Sequence, residues 1–281
     1  MHPPVSPIIF QFGPFALRWY GVLMAIAILI GVQVASFHLK RKGKLTDDFW
    51  DMLIWVLIPG FIGARLYYVF IQSPRTALGV GQYVATPGEI LRIWDGGIHI
   101  FGGFIVGGVA LWLFTRIRHL PLLSYLDAIA LGLPLAQAIG RWGNFINQEL
   151  YGPPTTLPWG LRIDPQHRIP PYNDLTAYPE SVRFHPLFLY ESVWNFIGFG
   201  LLFWISLRFG HHLKDGDIFL LYLIWYPSGR FMIEFLRTDS WFFPGTPFNV
   251  VHILCAIAVI AATIALLKRH HFSPFKPPIR N

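Results

Sequence analysis

Residues 250–267 read VVHILCAIAVIAATIALL, eighteen positions without one Lys, Arg, Asp or Glu. A helix needs about 20 mostly apolar residues to cross the hydrocarbon core of a bilayer. Extended to about 247–267, this run is long enough. Six more fit the same reading, with ends good to a few residues: about 19–38, 50–71, 97–115, 122–140, 186–207 and 217–236. The runs are continuous rather than alternating, which excludes the short dyad-patterned strands of a membrane barrel. Composition agrees. Of 281 residues, 54% are apolar and 13% charged, about half the roughly 25% charged share of a soluble domain. A soluble interior of this size has too little room for 25 Phe, 11 Trp and 11 Tyr, and disordered chains lack such residues. The expectation is an all-α membrane protein of seven transmembrane helices.

Charge placement orients it. Lys40, Arg41, Lys42, Lys44, Arg116, Arg118, Arg208, Lys214, Lys268, Arg269, Lys276 and Arg280 fall on one side. Arg18, Arg75, Arg92, Arg141, Arg162, Arg168, Arg183 and Arg237 fall on the other, and every lysine belongs to the first set. Cationic residues collect on the cytoplasmic side, so the N-terminus is expected outside and the C-terminus inside. The net charge of +7 then answers to anionic lipid rather than to nucleic acid. The first residues, MHPPVSPIIFQFGPFALRWYG, lack a basic residue before Arg18 and read as an interfacial arm, not a cleaved signal. Residues 141–184 contain YGPPTTLPWG and IPPYNDLTAYPE and read as an irregular extracytoplasmic cap on a single polytopic domain, 1–281. A cap that binds anions would explain the eight outer arginines. No internal repeat of the transporter kind is evident.

Charges inside spans cost roughly 2.5–3.5 kcal/mol each and are usually functional. Arg65, beside Gly60 and Gly63, fits either an interhelical ion pair or carbonyl clamp or a functional cation. In IWDGGIHIFGGFIVGG, Asp95 reads as an N-cap, the pair Gly103 and Gly107 as tight helix packing or a broken helix, and His99 as a possible proton carrier. The densest polar cluster is QAIGRWGNFINQELYG at 137–152. Arg141, Asn144 and Gln148 share a face if the helix continues that far. With Asn147 and Glu149, they supply one guanidinium, amides and a carboxylate suited to a phosphodiester and its glycerol hydroxyls. Tyr226, Arg230 and Glu234 recur at i, i+4, i+8, with Arg230 and Glu234 also able to neutralise each other. Two arginines near the outer surface suit bidentate phosphate binding. Cys255 lies among aliphatics and reads as core filler. No metal-ligand, P-loop or nucleophile-elbow pattern appears, so no cofactor or metal is expected, and an attacking group would come from a substrate.

These segments resemble phosphatidylglycerol–prolipoprotein diacylglyceryl transferases, the first enzymes of bacterial lipoprotein modification. The resemblance rests on GRWGNFINQELYG at 140–152, with RWYG at 18–21, WDGG and its following GG at 94–103, HPLFLYE at 185–191 and YPSGRFMIEFLR at 226–237. It implies a seven-helix enzyme of the bacterial inner membrane with an outward-facing site. The diacylglyceryl group of phosphatidylglycerol would pass to the lipobox cysteine thiol of a prolipoprotein, releasing glycerol 1-phosphate. Carried over by motif, Arg141 and Arg230 match essential arginines. Asn144, Glu149 and Gly152 match signature positions, and Tyr20, His185, Tyr226 and Glu234 other functional positions.

One position departs from the pattern. Many members have His immediately before the glycines matching Gly102 and Gly103, and this chain has Phe101. His99 is two residues earlier, about 200° around a regular helix. A local break that re-aims His99, proton uptake by His185 or Glu149, or reaction without a dedicated base all remain open. A transferase moving the phosphoglycerol headgroup and a non-catalytic lipid transporter are the competing functions. The first would yield diacylglycerol, the second no covalent product.

Overall fold

Backbone polar groups have no water to bond in hydrocarbon, so apolar runs there close their hydrogen bonds as helices. The computed structural model describes residues 1–13, 15–44, 46–72, 79–92 and 96–271. Its long helices are α1 (Trp19–Arg41), α2 (Asp47–Tyr67), α4 (Ile100–Ile117), α5 (Leu122–Asn147), α6 (Leu187–Phe209), α7 (Asp217–Glu234) and α8 (Val250–His271), with a short α3 (Gly79–Ala85). Each apolar run of the sequence carries one long helix. Six are long and apolar enough to cross a membrane, α2 with a π-helical turn continuing it. The exception is α7, because Asp217, Arg230 and Glu234 fall within its eighteen residues. The protein is an all-α membrane protein with two small sheets. β1 (Ile8–Phe12) pairs antiparallel with β2 (Phe15–Arg18) in the N-terminal arm, and β3 (Leu161–Arg162) with β4 (Arg183–Phe184) in the cap segment.

The described chain divides into two compact units. In the unit 39–125, α2 packs on α4 through glycines. A Cβ on Gly63 would stand 2.7 Å from the Gly102 carbonyl oxygen and collide with Val106, so the two backbones touch only because side chains are absent. Arg65 is a carbonyl clamp. Its Nε donates to Ile90 O (2.9 Å), Nη1 to Gly96 O (2.6 Å) and Gly97 O (2.7 Å), and Nη2 to Glu89 O (2.7 Å). That pattern offsets the cost of burying the charge. His99, not yet helical, caps α4 by accepting from Phe101 N at 3.3 Å, and its ring stacks on Tyr67. Asp95, the expected cap, lies outside the described residues, as do Arg75, Lys276 and Arg280.

In the unit 1–38 and 126–281, the N-cap of α7 is Gly216, which has no side chain to cap it. Asp127 of α5 caps it from outside: Oδ2 accepts from Gly216 N (2.7 Å) and Oδ1 from Phe219 N (2.9 Å). Helices α6 and α7 are joined by Trp194 and Trp225. Their rings stack at 4.5 Å, and each indole N–H donates to the other's backbone carbonyl at 3.2 Å. Gly198 and Gly229 leave room for those rings.

The segment 148–186 packs Tyr151, Leu161, Ile163 and Phe184 with Phe188 of α6 into a small core. Arg168 is buried there, donating to the carbonyls of Ile163, Tyr178, Pro179 and Glu180. The sequence suggests anion binding for the outer arginines; at this position Arg168 donates to backbone carbonyls from Nε, Nη1 and Nη2 alike. It folds the segment instead.

Candidate functional site

Helix α5 stops at Asn147, where Gln148 turns to φ 55°. The 141/144/148 face expected from the sequence therefore breaks. Gln148 leaves the helix and grips Asp164 twice, Nε2 donating to Oδ2 and Oε1 accepting from the Asp164 amide, both at 2.7 Å. This hydrogen bond holds the Asp164 carboxyl below its ordinary range, with a smaller contribution from His2. Gln148 thus belongs to the cap segment, not to the polar cluster.

The turn returns Glu149 to the helix end. Its amide donates to Asn144 O (3.0 Å), and its Oε1 accepts from Asn144 Nδ2 (2.7 Å) and Asn147 Nδ2 (3.3 Å). Asn144 Oδ1 accepts from Arg141 Nη1 at 3.3 Å. Asn147 Oδ1 is buried without a hydrogen-bond partner. Arg141, Asn144, Asn147 and Glu149 are thus one connected group, with the Glu149 side chain at the surface.

From Arg141 the charges alternate across three helices. Arg141 Nη2 pairs with Glu191 Oε2 of α6. Glu191 Oε1 lies 3.7 Å from Nη1 of Arg237, just past α7. Arg237 Nε lies 3.9 Å from Glu234 Oε2, and that oxygen lies 2.6 Å from Arg230 Nη2. The order is Arg141–Glu191–Arg237–Glu234–Arg230. The carboxylates of Glu191 and Glu234 are 5% and 1% exposed, so solvent screens them little. Asp239 grips Arg237 with two bonds, 2.9 and 2.6 Å. Arg230 and Glu234 do pair, yet Arg230 Nη1 remains buried without a hydrogen-bond partner. Pairing orients this guanidinium and does not consume it.

Two tyrosines border the chain. Tyr226 has Arg141, Glu191 and Arg230 among its electrostatic neighbours, and its ring stacks on Tyr222 at 5.7 Å. Tyr20 has Glu149 and Arg141 as neighbours, and its ring lies where a Cβ on Gly143 would be. Gly152 is a point of close approach. A Cβ there would stand 2.9 Å from both His185 Cβ and the Leu236 carbonyl oxygen, and its amide donates to His185 O at 2.9 Å. A larger residue would push the Glu149 turn off the segment that carries Arg237.

A family model described as prolipoprotein diacylglyceryl transferase matches residues 7–268. Three relatives are named phosphatidylglycerol–prolipoprotein diacylglyceryl transferase. One, from Chloroflexus aggregans, is 40% identical over 96% of this chain and 92% of its own length. One, from Lactiplantibacillus plantarum, is 41% identical over 95% and 90%. One, from Trichormus variabilis, is 43% identical over 84% and 80%. The chain belongs to the prolipoprotein diacylglyceryl transferase family.

Among the site residues expected from the sequence, Tyr20, Arg141, Asn144, Asn147, Glu149, Tyr226, Arg230 and Glu234 meet in this one cluster, with Gly152 supporting it. His185 stands beside Gly152, its Nδ1 paired with Tyr190 OH at 3.1 Å, while Tyr190 also accepts from Trp159 Nε1. His99 lies in the other unit, with one ring nitrogen occupied by the α4 cap. Sequence reasoning missed Glu191, Arg237 and Asn249. The first two lie inside the motif blocks HPLFLYE and YPSGRFMIEFLR. Nothing in those strings says that a carboxylate on one helix takes guanidiniums from two others. Among the described residues no group of three or more His, Cys, Asp or Glu side chains is arranged to hold a metal.

Proposed function

We propose that this chain transfers the diacylglyceryl group of phosphatidylglycerol to the lipobox cysteine thiol of a prolipoprotein, releasing glycerol 1-phosphate. The observation that carries this reading is the alternating charge chain with one open end. An unsatisfied buried donor costs about 1–3 kcal/mol, and Arg230 keeps one at Nη1. A phosphodiester supplies the missing acceptor. Asn147 Oδ1, likewise unpartnered, accepts from a headgroup hydroxyl.

The reaction is a displacement at the glycerol carbon that bears the phosphate. The thiol sulfur forms a bond to that carbon while the carbon–oxygen bond to phosphate breaks, and the electron pair leaves on glycerol 1-phosphate. Fixed cations at the departing oxygens lower the barrier because charge gathers there only as the bond breaks. Arg141 and Arg230 hold the phosphate. Tyr20 and Tyr226 line the approach, and the thiol proton passes to Glu149. Glu149 suits this role: it is exposed, held by two amides, and forms no ion pair with a described residue. His185, one ring nitrogen tied to Tyr190, supports the Gly152 turn.

The same reading makes the chain a seven-span protein of the bacterial inner membrane, with 141–184 outside and α8 ending in the cytoplasm. The lysine asymmetry supports it. The charges of α7 do not count against its spanning, because Glu234 is buried with Arg230 rather than turned to lipid. The deciding assay incubates purified protein with labelled phosphatidylglycerol and a lipobox peptide. A peptide thioether with glycerol 1-phosphate is expected, and diacylglycerol in their place would identify a headgroup transferase. Thr176→Cys and His271→Cys variants should react with an impermeant maleimide from opposite sides.

A further inference from the structure

Glu234 is divided between two sets of partners. Its Oε2 faces the arginines, 2.6 Å from Arg230 Nη2 and 3.9 Å from Arg237 Nε. Its Oε1 accepts from Ser240 Oγ (2.8 Å) and Asn249 Nδ2 (2.9 Å). A carboxylate rotates easily about its last side-chain torsion, which has broad wells. Two neutral donors on one oxygen stop that rotation and leave the other oxygen aimed at Arg230.

Asn249 is itself fixed. It sits immediately before α8, and its Oδ1 accepts from Val251 N (2.8 Å) and His252 N (3.2 Å), the bonds of an N-cap. Its backbone is bridged to Phe242. One amide side chain therefore does two things: its oxygen starts α8, and its nitrogen holds Glu234. It is 6% exposed.

We infer that Asn249 is a positioning residue for the transferase site, setting the Arg230 fork through Glu234 so that Nη1 stays free for the lipid phosphate. The inference rests on the function proposed above. A cap needs only an oxygen, so Ser or Asp would serve α8 as well as Asn. Only an N–H at this point serves Glu234, and the amide supplies both.

The test uses Asn249→Asp and Asn249→Ser in the full-length protein, with Tm and steady-state thioether formation measured in detergent. Both replacements keep a capping oxygen; Tm stays close to that of the wild type in Asn249→Ser and falls in Asn249→Asp, whose buried carboxylate faces Glu234. Asp places an acceptor against Glu234, and the serine hydroxyl is too short to reach it. Turnover should fall at least tenfold in both, since a displacement of about 1 Å commonly costs up to 10² in rate. The pH profile separates positioning from capping. The charged groups around the introduced carboxyl are Glu234, with Arg230 and Arg237 behind it, and His252 on α8. When protonated, that carboxyl donates to Glu234 Oε1 as the amide did, so Asn249→Asp regains turnover on acidification and Asn249→Ser does not. If Asn249→Asp does not fold, the serine variant carries the comparison through its turnover. Wild-type turnover in a folded Asp or Ser variant would overturn the inference. A wild-type protein that forms no thioether would instead overturn the proposed function.

Discussion

The carboxylate of Glu191 on α6 takes the guanidinium of Arg141 on α5 with one oxygen and faces Arg237 with the other. It joins the family's signature segment to the end of α7, which are far apart in sequence. Without it, two cations would sit side by side in a poorly screened site.

Glu191→Gln removes that shared counter-charge. Breaking a buried pair by deleting one partner costs about 3–5 kcal/mol, because the remaining charge is uncompensated. Arg141 loses its ion-pair partner, while Arg237 keeps Asp239 and Glu234, so Tm should drop by several degrees and turnover should fall with it. A Gln variant with the wild-type Tm would show that the Arg141 pair contributes nothing.

Arg141→Lys and Arg230→Lys keep the charge facing Glu191 and Glu234 but lose the planar fork. Turnover should fall by about 10²–10³, the usual cost of one preorganised donor, with a much smaller loss of Tm. If the two arginines act only as helix-end ion pairs, Tm falls and turnover survives. Measuring both quantities on the same preparation distinguishes these cases.

Gly152→Ala forces a Cβ to within 2.9 Å of the Leu236 carbonyl oxygen, a backbone atom with little room to yield. Overpacking of this kind costs about 1–3 kcal/mol. Because the turn carries Glu149, turnover should fall further than that loss of stability alone explains. An alanine variant active at the wild-type rate would show that the turn tolerates the shift.

Cys255→Ala should retain most of the turnover. Cys255 is 7% exposed within α8, whereas the attacking thiol arrives on the peptide. Loss of thioether formation by a normally folded variant would mean that an enzyme thiol takes part.

The Gln148 hydrogen bond holds the Asp164 carboxyl below its ordinary range. A depressed carboxyl contributes stability at pH above its unfolded value, and that contribution disappears as pH falls through the lower folded value. The segment around Asp164 should therefore keep its amide protection at pH 5 and lose it below about pH 4. Gln148→Leu should start the loss at a higher pH. Hydrogen exchange over residues 160–168 measures both, and a protection profile flat in pH would remove the role of the link.

Much of the molecule was legible in the chain itself. The period and length of the apolar runs determine the helices, because a backbone in hydrocarbon has no other way to satisfy its polar groups. The motif strings determined the family and supplied most of the residues proposed for the site, since reacting groups are restricted in type and spacing. Tertiary structure decided the partners. Arg65 and Arg168 look in sequence like cations awaiting an anion, yet each donates four hydrogen bonds to surrounding carbonyls. Gln148 looks like a member of the polar cluster, but a left-handed residue turns it away. Glu191 meets Arg141 and Arg237, and Asn249 meets Glu234, only because separate segments pack together. Sequence records which donors and acceptors exist. Which oxygen meets which guanidinium depends on how the helices pack, and a local string does not carry that information.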